Sequence, residues 1–324
     1  SGAWIAGFRP ASGCSVSTAS LSMDAMSSTF TAVDLSRLPA PSVVEALDFE
    51  TIFSAMREDL IARDPSLAPA LALESEPLVK LLQVCAYREL LLRQRVNDAA
   101  RAVMLAYAGG SDLDQLGALF GVTRQVLDPG DPARSIPPTL ESDTDFRRRI
   151  QLAPEGFSVA GPEGAYIYHA LSADPAVLDA SATSPAPGEV VVSILARAGD
   201  GTPDAALLDR VAAVLSADHV RPMTDHVSVQ PAEILPYTVA ATLYTYAGPD
   251  STVVLAEAEA RLQRYITESH RLGRDVTRSG LFAALHAEGV QRVELSAPAA
   301  DIVAGRTQAT WCTGISISYG GTDE

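Results

Sequence analysis

The chain has 324 residues, enough for roughly two ordinary domains. Its 47% apolar and 20% charged residues are a folded composition, not a disordered one. The net charge of −16 repels phosphate backbones and excludes general DNA or RNA binding. Of the 24 basic residues only Lys80 is a lysine, so no Gly-Lys pair exists for a P-loop.

No apolar run approaches the ~20 residues needed to span a bilayer, so no membrane partner is expected. The N-terminus has no charged segment followed by a clean apolar stretch, and no secretory signal is expected there. Cys14, Cys85 and Cys312 are far apart and form neither CxxC nor zinc spacing. They read as reduced thiols of a cytosolic protein.

Residues 1–41 are rich in Ser, Thr, Gly and Pro without periodicity and read as an irregular N-terminal arm. Met26 opens a conventional start, so residues 1–25 read as an extension or an artefact of start-site choice. A helix is expected from Ser42, with Glu45 completing a capping box and Asp64-Pro65 ending it. Leu47, Ile52, Met56 and Leu60 fall roughly on one of its faces.

A long helix is expected next, from about Glu74 to Tyr107, with Pro77 in its first turn and Gly109-Gly110 as its stop. Its seam runs Leu78, Leu82, Cys85, Glu89, Leu92, Val96, Ala99, Val103, Ala106, alternating 4 and 3 over about four heptads. Leu81, Leu91 and Leu105 add a second apolar stripe. Two stripes want two neighbours, and the Ser42 helix supplies only part of the cover. The seam is either an internal core stripe or a bundle face shared with other chains. In the second case Glu89, at a core position, fixes register or partner choice.

Ser111 is expected to cap a short helix to Phe120, stopped by Gly121. LDPGDPARSIPP, with four prolines in 127–138, reads as a linker or crossover on which the two halves could pivot. Ser142 caps a helix carrying Arg147, Arg148 and Arg149, which in an acidic chain are expected to pair with carboxylates. Gly161-Pro162 starts another helix. Beyond it the pattern becomes mixed: a hairpin of Val177–Thr183 and Val190–Leu195, a helix from Pro203 to Leu215 and a short strand at Val227–Val229. Then come a long strand from Ile234 to Tyr246, helices at 250–269 and from Thr277, and strands at 290–295 and 314–319.

The expected fold class is α+β: an N-terminal helical bundle segment with a long heptad helix, followed by two small α+β modules. The divisions are an arm (1–41), a helical core-bundle region (42–126), a linker and short helices forming a branching region (127–175), a first module (176–233) and a second (234–324). GTPDAALLDRVAAVL and GPDSTVVLAEAEARL read as a weak repeat across the modules.

The chemistry-bearing motifs are missing. There is no GxSxG, HExxH or EF-hand spacing. The five histidines form no metal-spaced pair, and Gly199/Gly201 lack the third glycine of a dinucleotide fingerprint. No catalytic, cofactor-binding or metal residues are assigned, and no cofactor is expected.

FTAVDLSRLPAPSVVEALDFETIFSAM at 30–56 and the stretch ESEPLVKLLQVCAYRELLLRQRVNDAARAVMLAYAGGSDLDQLGALFGVTR at 74–124 resemble baseplate J-like proteins of contractile-tailed phages and R-type bacteriocins. So do DTDFRRRIQLAPEGFSVAGPEGAYIYHALSADPAVLDASATSPAPGEVVVSIL at 143–195, VRPMTDHVSVQPAEILPY at 220–237 and RLGRDVTRSGLFAALHAEGVQRVEL at 271–295. The resemblance runs from about residue 26 to the end.

It implies a non-enzymatic structural wedge protein of a tail baseplate, assembled in the host bacterial cytoplasm. The implied partners are a second copy of itself and a tail protein I-like chain, in a 2:1 heterotrimer. Beyond these come neighbouring wedges in a six-fold ring, the baseplate hub and a sheath-initiating wedge protein. The implied bundle role falls on Leu78, Leu82, Cys85, Leu92, Val96, Ala99 and Val103, and the ring role on about 234–324. The ring would rearrange on a receptor signal and relay the trigger for sheath contraction. Cys14, outside the resemblance, is a candidate for an intermolecular disulfide. The alternatives are a receptor- or glycan-binding tail module and a cell-wall hydrolase.

Overall fold

In the computed structural model, residues 35, 38, 39, 41–157, 161–248 and 250–323 are described. Cys14 and most of the 1–41 arm lie outside them.

Helix α1 spans Phe49–Arg63. Its cap is Asp48, whose carboxylate accepts from Thr51 N at 2.8 Å, and not Ser42. The Ser42–Glu45 pair matches a capping box in spacing, but residues 45–48 lie outside any helix and Asp48 offers the stronger acceptor. Asp64 ends α1 as expected, its N–H bonding Leu60 O, while its carboxylate accepts from Ser66 N and opens a 3-10 turn at Pro65–Leu67. The short α2 (Ala68–Leu71) follows.

Helix α3 spans Pro77–Ala102, 26 residues, so it is about 39 Å long at ~1.5 Å per residue. It stops before the expected Tyr107. Val103 leaves helical geometry, and residues 103–107 are turns. Arg147 donates to Leu105 O at 2.7 Å and Ala108 O at 2.6 Å, satisfying carbonyls a continued helix would have bonded internally. Gly109, not Ser111, precedes α4 (Gly110–Leu119), and the helix's first N–H donates to the Asp143 carboxylate at 3.1 Å. Gly121, at φ +69°, closes that helix.

The proline-rich stretch is not a crossover. Strands β1 (Val126–Asp128) and β2 (Thr139–Leu140) pair antiparallel, with a 3-10 turn at Pro132–Arg134 between them. Glu141 N bonds Gln125 O at 2.9 Å. A segment whose two ends are bonded together returns to where it left and separates no bodies. Helix α5 (Asp143–Leu152), capped by Ser142 as expected, packs beside α4.

The first module holds α6 (Glu163–Ala173), β3 (Val177–Thr183), β4 (Glu189–Ala196), α7 (Ala205–Leu215) and β5 (His226–Pro231). The sheet order is β3-β4-β5, with β3/β4 antiparallel and β4/β5 parallel across α7. Leu207, Val211 and Leu215 of α7, four residues apart, join Tyr166, Ala170, Val192 and Ile194 in the core. The second module holds β6 (Glu233–Thr245), α8 (Ser251–Ser269), α9 (Arg278–Leu285), β7 (Val290–Ala297) and β8 (Gln308–Thr322). Its order is β7-β6-β8, with β6/β7 antiparallel and β6/β8 parallel. Val254, Ala258, Leu262 and Ile266 form the buried stripe of α8 over Val239, Ala241 and Leu243. Asp204 and Asp250 cap α7 and α8 alike.

The two sheets share a pattern, a central strand with one antiparallel and one parallel neighbour, but not a chain path. In the first the parallel strand follows the helix directly; in the second β7 comes between. Only Ala232 separates β5 from β6. A small cluster of Leu195, Ala232 and Ala309 with Leu178, Ile234 and Leu272 fills the space between the modules.

Candidate interaction faces and the module junction

Helix α3 packs against α1, and its buried positions are Val79, Ala86 and Asn97. Asn97 is 4% exposed. Its amide donates to Glu45 O at 2.9 Å and its oxygen accepts from Glu45 N at 3.0 Å. This reciprocal pair holds the irregular segment leading into α1. The intramolecular face is thus a heptad line one residue out of phase with the expected seam.

The expected seam points elsewhere. Leu78 and Leu82 are half-buried, whereas Cys85 and Ala99 are exposed. Leu92, Val96 and Val103 are 68%, 59% and 71% exposed. Glu89 is half-buried and bonds Arg93 at 2.6 Å, and Arg93 also reaches Glu45 at 3.3 Å. Glu89 therefore engages its own chain. A second uncovered stripe runs through Leu81, Val84, Tyr87 and Leu91. Side chains this apolar on both flanks of one helix exceed the scattered exposure of an isolated soluble protein.

Arg148 and Arg149 pair with carboxylates as expected, whereas Arg147 is held by the backbone carbonyls of Leu105 and Ala108. Arg149, buried at 5% exposure, makes a fork on the Glu141 carboxylate at 2.8 and 2.7 Å and bonds Thr123 O. Arg148 bonds Asp179 of β3 at 2.7 Å. The Asp179 carboxylate also accepts from Leu272 N at 3.1 Å. Arg124, missed at the sequence level, bonds Asp114 and Asp143 at 2.8 Å each. Its guanidinium stacks 4.8 Å over Phe146.

Asp145 of α5 makes a further pair of ion pairs. It accepts from Arg197 of the first module at 2.8 Å and from Arg271 of the second at 2.7 Å. Burial pushes its carboxyl up, and the two guanidiniums outweigh that, leaving it below the usual carboxylate range. One residue of α5 thereby clasps both modules. No local pattern announces it, because its partners lie 52 and 126 residues away.

Among the described residues no group of three or more His, Cys, Asp or Glu is placed to hold a metal, and no helix is long and apolar enough to cross a membrane.

The chain matches three family models: the baseplate J-like N-terminal domain over residues 74–131, the baseplate J-like central domain over 158–231 and the baseplate J-like C-terminal domain over 237–318. It is 53% identical over 300 residues to baseplate protein J of Escherichia phage P2, covering 90% of this chain and 99% of that protein. Among solved structures it is similar to a chain of the six-fold symmetrised cryo-EM structure of the anti-feeding prophage baseplate, with TM-score 0.39 and 15% identity. That match covers 55% of this chain and 43% of the other.

Proposed function

The chain belongs to the baseplate J-like family and is a structural component of the phage tail baseplate; from that premise we propose that it is a wedge protein whose helix α3 enters a bundle with two other chains. The observation that carries this reading is the pair of uncovered apolar stripes on α3, one through Leu92 and Val96, with Val103 just past the helix end, and one through Leu81, Val84 and Tyr87. Two stripes on one helix suit two neighbours. These are a second copy of this chain and a tail protein I-like partner, in a 2:1 heterotrimer. The second module, from about residue 234, joins neighbouring wedges into a six-fold ring around the hub, next to the sheath-initiating wedge protein. The ring is bistable, and receptor engagement shifts its balance toward sheath contraction.

The Asp145 clasp and the Ala232 junction support a particular mechanical role for the modules. Tied to each other and to α5, they pass force as one unit instead of pivoting at 127–138.

The test is co-expression with the tail protein I-like partner and mass determination of the purified complex. The expected result is a 2:1 assembly that loses its partner when Leu92 and Val96 become Asp, while the isolated chain keeps its fold. A monomer indifferent to the partner would overturn the reading.

A further inference from the structure

The junction of α5 and the two modules leaves a half-open cleft of about 610 Å³. One part of its lining is charged: Arg197, Arg271 and, between them, Asp145. Two guanidiniums share one carboxylate, so the lining carries an unbalanced positive charge in a chain of net charge −16. Arg271 donates to Asp145 and to Leu178 O, which leaves further N–H groups of its five for a ligand. Of the carboxylates just outside the lining, Asp179 is paired with Arg148 and Asp200, next in sequence to Gly199, is turned onto Thr202 N at 3.0 Å. His270 is held by Thr310 O at 2.7 Å and packs edge-on against Trp311.

One wall is helical, with Gln263, Ile266 and Thr267 of α8, and the wall facing it is a strand. Trp311, Cys312, Thr313, Gly314 and Ile315 are consecutive residues of β8. β8 is an edge strand. Its outer side is bridged by Leu272 at Ala309, and beyond that no described strand pairs with it. The register slips at Thr313, since Tyr237 faces Cys312 and Thr238 faces Gly314. Such a bulge re-aims the strand at its edge. An open strand edge takes up an extended backbone through main-chain hydrogen bonds, and adjoining pockets select its side chains.

We propose that this cleft binds an extended acidic peptide segment, added along β8 from Cys312 onward, with a carboxylate on Arg197 and Arg271 and an apolar side chain on Trp311. A free small anion would use only the guanidiniums; the open strand edge beside them suits a chain. The site is separate from α3 and does not depend on the bundle reading.

The full chain carries two tryptophans, Trp4 and Trp311, so Trp4→Phe leaves Trp311 as the sole fluorescent reporter. Titration with Ac-Val-Glu-Val-Asp-Val-amide is expected to shift Trp311 emission. The isosteric Ac-Val-Gln-Val-Asn-Val-amide binds at least about tenfold more weakly, and raising salt from ~0.05 to ~0.5 M weakens the acidic peptide selectively. Gly314→Phe blocks the site from the strand side. A Cβ on Gly314 meets nothing within 4 Å, so the substitution is compatible with the fold. Thr267→Phe, on the exposed face of α8, blocks from the opposite wall, leaves Trp311 the sole tryptophan and serves if Gly314→Phe does not fold. Either block is expected to abolish the shift. Equal affinity for the two peptides, no shift with either, or binding unchanged in the blocked variants would overturn the proposal. Displacement by sodium glutarate at the peptide's own concentration would overturn the peptide assignment in favour of a small dicarboxylate.

Discussion

Arg271 reaches across 126 residues of sequence to donate to Asp145 at 2.7 Å, and Arg197 meets the same carboxylate at 2.8 Å. Removing the charge leaves two guanidiniums facing each other in a half-enclosed space. Asp145→Asn is expected to lower unfolding free energy by about 2–3 kcal/mol, less than the full loss of a buried pair because both arginines retain some exposure. Urea denaturation measures it. The pH dependence follows from the direction of the shift. With the folded carboxyl held below its unfolded value, the stabilisation is complete above ~4 and is lost as pH falls through the lower, folded pKa. The gap between the parent chain and Asp145→Asn should therefore be constant at neutral pH and close in acid. A gap that persists undiminished at pH ~2 would assign the effect to packing instead.

The Arg149–Glu141 fork is more deeply buried, with side chains 6% and 2% exposed. Breaking a pair at this depth is costly because the surviving charge stays desolvated. Glu141→Gln is expected to cost about 3 kcal/mol or more. The double variant Arg149→Met, Glu141→Leu should recover a large part of that loss, since two apolar groups leave no stranded charge. Gln125 N, which donates to the Glu141 carboxylate at 3.2 Å, loses that acceptor in the double variant and limits the recovery. A double-mutant cycle in thermal unfolding separates these contributions.

How much was legible in the sequence depended on how local the determining physics was. Helices α7 and α8 were readable because Asp204 and Asp250 sit beside a four-residue apolar repeat. The hairpin at 177–196 was readable from β-branched runs around SPAPGE. The end of α3 and the start of α4 were not, because the carbonyls just past α3 are held by Arg147, 42 and 39 residues away, and the first N–H of α4 is held by Asp143, 33 residues on. The proline-rich stretch looked like a linker because composition marks irregular backbone without saying whether its ends meet. The apolar excess of α3 was legible as a stripe count. Which stripe faces its own chain was not, because heptad lines one residue apart differ only in phase and Asn97 marks the inner one with a polar group.

Asn97 offers a test of that inner line. Both its amide atoms bond the Glu45 backbone, so Asn97→Leu removes two bonds and strands an N–H and a C=O. A cost of about 1–3 kcal/mol is expected. Local loosening should precede global unfolding. Hydrogen exchange at the Glu45 amide is expected to accelerate by at least about tenfold, roughly the effect of 1.4 kcal/mol, while exchange in the β6 core stays unchanged. Uniform acceleration across the chain would mean that Asn97 supports the whole fold and not the entry to α1.

The two sides of α3 should respond oppositely to the same chemistry. Ala86 is fully buried, so Ala86→Asp places a charge where no partner stands and is expected to destabilise the isolated chain by more than about 3 kcal/mol. Leu92→Ser and Val96→Ser remove apolar surface that water already covers. Their effect on the isolated chain is expected within about 0.5 kcal/mol, and the double variant should be more soluble than the parent because it shrinks an exposed apolar patch. The same double variant should lose affinity for its bundle partners far in excess of any change in its own stability. Thermal unfolding of the isolated chain, set beside partner capture on a column, reads both quantities from one preparation. If Leu92→Ser and Val96→Ser destabilise the isolated chain as much as Ala86→Asp does, the outer stripe is covered by the chain itself, and α3 has no free face to give to a bundle.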